Sequence, residues 1–417
     1  MIARLLYNLL IWLLLPYTLM HLLWRGRKQR GYLQHIGERF GFYQQTTAHP
    51  VIWLHAVSVG ETRAAKPLIE ALLGAYPQHQ IVLTHITPTG RDTSEQLFGN
   101  RVVRVYLPYD FPFAVRRFLR HFQPRLGLLM ETEIWPNLIA LCHQQHIPTL
   151  LINARLSARS ARRYAKLGAL IPATLAQLSH IAAQTADDAA RLRQLGGQNV
   201  SIMGNLKFDS APPAELLALG QQWREQIGAR WVWVAASTRA GEEALIIDAW
   251  QALPNKPLLA IIPRHPQRFD EVAALLQQRG VRYQRRSTGE AIHADTQIWL
   301  GDSMGELYAY YTLADVAFIG GSLMPLGGQN LIEAASVGCP VVIGASMYNF
   351  AEVAQQAITS GAAVQVQDVT SLTQAVTELL ADAPRRQQMH TAALTYSASH
   401  QGATVRLMAL INQCYPQ

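Results

Sequence analysis

The sequence predicts an α/β protein built as two doubly wound halves of about equal size behind an apolar amino-terminal segment. Three observations carry this. From residue 50 onward, short apolar runs alternate with longer amphipathic ones, the pattern of parallel sheets with both faces covered. A Pro-Pro break, SAPPAE at Ser210–Glu215, interrupts the alternation, which then restarts. An uncharged run, Leu5 to Leu23, precedes it all. A chain of 417 residues suits two or three domains.

The elements follow in order. Leu5–Leu23 approaches the roughly 20 apolar residues that a helix needs to cross a bilayer core. Pro16 and Asn8 interrupt it, so a tilted or half-inserted helix fits as well. The flank Arg25, Arg27, Lys28, Arg30 faces only Arg4 on the other side, which places the rest of the chain in the cytoplasm. Bulky Trp24 followed by Arg25 does not suit a signal-peptide cleavage site. We therefore expect an amino-terminal membrane-anchoring helix over residues 1–24. In the first half, strands are expected at Val51–Val57, Ile81–Thr84, Val102–Tyr106, Leu126–Met130, Thr149–Ile152, Ile181–Gln184 and Ser201–Met203, with helices at Leu68–Leu73, Ala114–His121 and Trp135–Gln144 among them. The second half offers Trp231–Ala235, Leu258–Ile262, Gln297–Leu300, Val316–Ile319, Pro340–Ile343 and Ala363–Val366, then a helical tail from about Thr370. The domain boundaries expected are 25–210 and 211–417. Two such halves facing each other make a cleft outside the carboxyl ends of their strands, where open α/β sheets bind ligands.

Composition excludes several classes. Hydrophobic residues make up 49% and charged residues 15%, which rules out a disordered chain. Three distant cysteines, Cys142, Cys339 and Cys414, leave no disulfide framework and no CxxC pair. The net charge of +8 is local: residues 1–43 carry +5, residues 153–166 carry another +5, and the remainder sums to −2. No nucleic-acid recognition motif or interleaved aromatics accompany these patches, so no nucleic-acid partner is expected. There is no GxGxxG after the first strand, no GxxxxGK[ST] and no HExxH. A lone GxSxG, Gly301-Asp-Ser-Met-Gly305, resembles a hydrolase elbow, but only His390 and His400 follow it, both in the helical tail.

Seven clusters hold residues suited to chemistry. In Ala56-Val-Ser-Val-Gly-Glu-Thr62, Gly60 permits a tight turn and Glu61 opens the next helix; a carboxylate there accepts a proton or merely complements the helix dipole. In Leu129-Met-Glu-Thr-Glu-Ile-Trp-Pro136, Glu131 emerges from the carboxyl end of a strand with Glu133 two residues on. Asn153–Lys166 carries Arg155, Arg159, Arg162, Arg163 and Lys166 without an acid; on a helix most share one side, suited to phosphates or an anionic membrane. Gly204-Asn-Leu-Lys-Phe-Asp209 brings Lys207 to the domain junction. In the second half, Ile262-Pro-Arg-His-Pro266 sets Arg264 at a strand end. Gly301–Leu307 is a strand-to-helix turn in which amides and Gly305 suit a phosphate. Gly320–Glu333 is glycine-rich and enters a helix with Asn330 and Glu333 three apart on one face, suited to ribose hydroxyls. Three such turns in one half favour a nucleotide site.

Together the segments HAVSVGE, METEIWPN, NARLSARS, GNLKFD, PRHPQRF, DSMGELY, FIGGSLMPLGGQNLIEAA and NF resemble the 3-deoxy-D-manno-octulosonic acid (Kdo) transferases of lipid A assembly, from the amino terminus to about Phe350. The resemblance implies a GT-B-type glycosyltransferase: two Rossmann-like domains facing across a cleft, the first (25–210) binding the acceptor and the second (211–417) the CMP-sugar. It implies CMP-Kdo as donor, a lipid A precursor (lipid IVA) as acceptor, and attachment to inner-membrane lipids at the cytoplasmic face of a Gram-negative bacterium. By motif, Glu61 is similar to the general base, and Glu131 and Lys207 to groups assisting the transition state. Pro263, Arg264 and His265, then Met304, Gly305 and Glu306, then Asn330, Leu331, Ile332 and Glu333 resemble the CMP site. The GDSMG turn is thereby a phosphate loop rather than an elbow. This chain departs from the family's frequent residues at Gln329, Leu331 and Ser303. The mechanism implied is inverting displacement of CMP from the donor. The sequence shows no metal-ligand cluster, and a helix end with basic side chains can serve a single phosphate, so no metal and no cofactor beyond the donor are expected. Arg155, Arg159, Arg162 and Arg163 form the expected acceptor or membrane patch. A UDP-sugar transferase and a non-catalytic tethered binding module are the competing readings.

Overall fold

The computed structural model describes residues 2–415. They form two compact units: the chain up to Ser210 together with the chain from Gln401 on, and Ala211–His400.

The first unit holds a seven-stranded parallel sheet of β1 (Val51–His55), β2 (Gln80–His85), β3 (Val103–Tyr106), β4 (Pro124–Met130), β5 (Thr149–Ala154), β6 (His180–Ala183) and β7 (Val200–Ile202). Their order is β3-β2-β1-β4-β5-β6-β7, so the winding reverses between β1 and β4. The strands are apolar throughout because helices cover both faces. Trp53, Val82, Leu129 and Leu151 pack on one side, and Ile52, Leu54, Leu83, Leu128 and Ile152 on the other.

The second unit repeats the plan with β8 (Val232–Thr238), β9 (Leu258–Pro263), β10 (Tyr283–Arg285), β11 (Ile298–Leu300), β12 (Val316–Ile319), β13 (Val341–Ile343) and β14 (Ala363–Gln365). The order β10-β11-β9-β8-β12-β13-β14 again reverses beside the first strand, between β8 and β12. The short edge strand β10, Tyr283–Arg285, lies in a polar stretch (RYQRR) that gives no strand signal.

The helical tail divides, which the sequence reading did not foresee. Helix Ala383–Ser399 stays with the second unit, whereas helix Ala403–Cys414 belongs to the first. Its Ala403, Leu407, Leu410 and Ile411 are buried in the first unit's core. The Asp209 carboxylate fastens its start by accepting from the amides of Gly402 (2.7 Å) and Thr404.

The amino-terminal segment is two helices rather than one, α1 (Ile2–Leu13) and α2 (Leu15–Lys28). Pro16 stands in the first turn of α2, where its missing N–H costs no hydrogen bond. No single helix among the described residues is long and apolar enough to cross a membrane; the bent pair, turned by 48°, meets the length and composition requirement together. One side of α1 is docked. Tyr7 donates to the Asp110 carboxylate (2.9 Å), Asn8 accepts from Asn137 (2.6 Å), and Trp12 packs against Phe111 (5.0 Å). Leu5, Leu6, Leu9, Leu13 and Met20 remain exposed. Asn8 thus breaks the apolar run because it is a docking residue.

Candidate active site

In the first unit, Glu61 and Glu131 follow β1 and β4, the two strands between which the winding reverses, and ligands bind at such switch points. After β1 the chain turns at Ser58, which caps helix Val59–Ala64 by accepting from the Glu61 amide. The Glu61 carboxylate reaches back, accepting from Val57 N (2.7 Å) and from the Ser58 hydroxyl (3.0 Å). The side chain is therefore fixed, not merely drawn to a helix dipole.

Burial pushes the Glu61 carboxyl up to about 7, with the Glu131 charge adding to it; the Val57 hydrogen bond opposes this, and Glu133 raises it further. A carboxyl so placed exchanges its proton near neutral pH.

Glu131 stands at φ +55°, a left-handed conformation in which a glutamate is uncommon. Its Oε1 lies 3.9 Å from Lys207 Nζ, and both side chains are about a quarter exposed. Lys207 arrives there through Asn153, a fully buried residue also at positive φ, whose Oδ1 accepts from Leu206 N (3.1 Å). Asn205 then accepts from the Lys207 amide (3.0 Å). Glu133 Oε2 accepts from Trp135 Nε1 (2.7 Å) and lies 3.5 Å from Nε2 of the buried His55, which ends β1. The structure thus gathers Glu61, Glu131 and Lys207 into one site, and adds Asn153, Glu133 and His55. Asn153 escaped notice because the charges after it dominate its stretch of sequence.

The basic segment separates into parts. Helix Ala158–Ala165, capped by Ser157, displays Arg159, Arg162 and Arg163 to solvent, none of them in an ion pair among the described residues. Arg155 precedes the helix and is half-buried; its carbonyl accepts from Thr132, tying this segment to the Glu131 turn (2.8 Å). It is not a member of the exposed face.

In the second unit, four turns line the carboxyl edge. After β9, the Arg264 amide donates to the Thr238 carbonyl (3.0 Å), and both Arg264 and His265 are exposed. After β11, Gly305 adopts φ +86°, closed to other residues without strain. Glu306 is held by Arg286 (2.9 Å) and by the Ser303 hydroxyl, and Met304 is half exposed. The helix here begins only at Leu307 and is one short element, Leu307–Leu313. After β12 come Gly320 and Gly321; a Cβ on Gly320 would meet the Ser237 carbonyl at 2.5 Å.

Asn330 lies outside the helix it was expected to open, which is Ile332–Ser336. Its Oδ1 accepts from Ile332 N (3.1 Å) and its amide reaches Glu333 (3.4 Å), so the two residues do meet. Leu331 and Ile332 are buried, as is Pro263, which leaves only their backbones for a ligand.

The fourth turn, after β8, was missed. Glu242 is fully buried and accepts from the amides of Arg239 (3.0 Å), Gly321 (2.5 Å) and Leu323 (3.1 Å), joining the turns after β8 and β12. Its neighbour Glu243 takes Arg268 (2.5 Å) and the Thr238 hydroxyl (2.7 Å). A signal existed: strand, serine, glycine, glutamate recurs as Ser58…Gly60-Glu61 and Ser237…Gly241-Glu242. No group of three His, Cys, Asp or Glu side chains among the described residues is gathered to hold a metal ion.

Two parallel seven-stranded units, each with its site-forming turns at the carboxyl edge of its sheet, make the GT-B-type fold, and the family matches that follow make it that of a glycosyltransferase. A solved glycosyltransferase from Rickettsia africae superposes with a TM-score of 0.60 over 89% of this chain and 100% of its own, at 10% identity, a likeness of fold. A family model described as 3-deoxy-D-manno-octulosonic-acid transferase (kdotransferase) matches residues 34–210, and one described as glycosyl transferases group 1 matches residues 278–395. The 3-deoxy-D-manno-octulosonic acid transferase of Bordetella pertussis is 47% identical over 372 residues, covering 86% of each chain. That of Haemophilus influenzae is 40% identical over 397 residues, covering 92% of each. The chain belongs to the 3-deoxy-D-manno-octulosonic acid (Kdo) transferase family, and its activity is Kdo transfer in lipopolysaccharide synthesis.

Proposed function

We propose that the chain moves Kdo from CMP-Kdo to a hydroxyl of a lipid A precursor, with inversion, using Glu61 as general base and no metal. The observation that carries this is the Glu61 carboxylate, fixed by Val57 N and Ser58 at a switch point and poised near neutral pH. The acceptor O–H proton passes to Glu61 as the oxygen bonds to the anomeric carbon. The bond from that carbon to the phosphate oxygen breaks, and its electron pair leaves on CMP. A positioned base of this kind contributes about 10²–10⁴-fold. Glu131 and Lys207 assist the transition state. On the donor side, Pro263, Arg264, His265, Met304, Gly305, Glu306 and residues Asn330 to Glu333 hold CMP, with Arg264 and the amides near Gly305 taking the departing charge.

The enzyme works at the cytoplasmic face of the inner membrane. Support comes from the exposed leucines of α1 and the basic residues that follow them, an arrangement suited to an anionic bilayer surface. The test is one assay of purified protein with CMP-Kdo and a tetra-acylated lipid A precursor, read by product mass. Absence of any Kdo increment sinks the reading, and so does activity that disappears with chelator and returns with Mg²⁺ for its metal-free part. Glu61→Gln should lose turnover by at least about 10²-fold while still binding CMP.

A further inference from the structure

Four turns meet at the carboxyl edge of the second unit, and the donor-site reading uses three of them. The unused one follows β8, at the switch point itself. Register places it. Thr238 pairs with Pro263 at the ends of β8 and β9, so Arg239 and Arg264 are the first residues beyond two neighbouring strands. The Arg264 amide bonds to the Thr238 carbonyl at 3.0 Å, which fixes that adjacency.

The backbone of Arg239 is held more firmly still. Its amide donates to Glu242, whose carboxylate also takes the amides of Gly321 and Leu323, and its carbonyl accepts from Glu242 N (3.0 Å). A fully buried acid is thus spent on locking this turn to the glycine-rich one.

The charge balance is one-sided. Arg268, nearby, is committed to Glu243 (2.5 Å) and Glu271 (3.2 Å). Neither Arg239 nor Arg264 joins an ion pair among the described residues. His265 feels the excess: partial desolvation lowers its affinity for a proton, and Arg239, Arg264 and Arg268 lower it further. Two arginines at adjacent strand ends, both acting on His265 and neither in a described ion pair, suit a ligand with two neighbouring anionic groups. Arginine is the side chain whose planar fork matches a carboxylate in two parallel hydrogen bonds.

A CMP-activated ulosonic acid is such a ligand. The phosphate and the sugar's own carboxylate are both attached to the anomeric carbon. We propose that Arg239 binds the carboxylate of the transferred sugar, while Arg264 serves the phosphate. This rests on the CMP-Kdo reading above. It makes the turn after β8 the element that distinguishes an acidic sugar from a neutral one on the same nucleotide.

The experiment compares Arg239→Gln with Arg264→Gln in the full-length enzyme. CMP affinity is measured by calorimetry and the KM for CMP-Kdo at saturating lipid acceptor. Arg239→Gln should raise that KM about 10- to 100-fold, the loss of a charge-assisted hydrogen-bond pair, with CMP affinity within two-fold of wild type. Arg264→Gln should weaken both. Arg239→Lys keeps the charge without the fork, so it should give a smaller KM increase at the same CMP affinity, and it stands in if the Gln variant does not fold. An equal loss of CMP and CMP-Kdo affinity in Arg239→Gln would place the residue on the nucleotide and overturn the proposal. An unchanged KM would also overturn it. A wild-type enzyme that does not turn over CMP-Kdo would instead sink the donor reading.

Discussion

Glu131 meets Lys207 at 3.9 Å from a backbone held at φ +55°, and neither residue reaches that position by its own local preference. The left-handed turn throws the carboxylate off the end of β4. The lysine is delivered by a loop that the buried Asn153 holds through Leu206 N. A glutamate in this conformation is held there by its surroundings at a cost of order 1–3 kcal/mol. We therefore expect Glu131→Gly to stabilise the fold by relieving that cost while activity falls. Thermal melting and turnover of the same preparation check this, and a Gly variant that melts lower would contradict the strain argument.

The Glu61 carboxyl should write itself into the pH profile. With its proton affinity raised to about 7, kcat/KM should fall as pH drops below about 7. The Glu131 charge is the second-largest cause of that elevation, and it acts upward. Removing it in Glu131→Gln should move the acid limb to lower pH, on top of any loss of rate. A limb that stays in place or moves up would show that Glu61 is not the titrating group.

The same carboxyl makes a prediction about stability, with the opposite sign to a salt-bridged acid. Its folded value lies above its unfolded one, so its favourable contribution is complete below pH 4.5 and is lost as pH rises through about 7. Above that, an ionised, largely desolvated carboxylate opposes folding by up to about 3 kcal/mol. Glu61→Gln should therefore melt higher than wild type at pH 8.5, and the gap should close toward pH 5. Melting curves at the two pH values decide it.

How far the sequence foretold this site depends on what each residue does there. The two sheets were legible because parallel strands buried on both faces read as unbroken apolar runs, as in VIWLH and VWVAAST. Glu61, Glu131 and Lys207 stood out as candidates because each follows an apolar strand or marks a junction, but their expected roles came from the family resemblance; the structure brings the three together. Glu242 was not, because a carboxylate spent on three backbone amides looks like any acid in a first helical turn. Arg239 was passed over with it. The destination of the last helix was hidden for a related reason: Leu407, Leu410 and Ile411 show that it has an apolar face but not which core receives it.

Gly320 tests how tightly the second unit's turns are locked. Its Cα side faces the Ser237 carbonyl, and an added methyl group would meet that oxygen at 2.5 Å and the Thr238 Cα at 2.6 Å. Both are backbone atoms with no rotamer to change, so the two turns must part. Gly320→Ala should cost about 1–3 kcal/mol, as overpacking does, and weaken CMP binding as well. Gly74→Ala, in an open position on a helix, is the matched control and should not lower the melting temperature. If both variants melt alike, the close approach is not a constraint.

The exposed arginines predict a separable defect. Arg159, Arg162 and Arg163 stand on one short helix, away from any described ion pair, and they belong to the unit that carries Glu61. If they meet the phosphates of the lipid acceptor, converting all three to Gln should raise the acceptor KM and leave CMP affinity unchanged. Screening should mimic the substitution, because exposed charges lose most of their reach beyond about 8 Å at 0.15 M salt. Raising salt should thus increase the wild-type acceptor KM and change that of the triple variant much less. Equal salt sensitivity in the two proteins would remove the helix from the acceptor's path, and an unchanged acceptor KM at low salt would do the same.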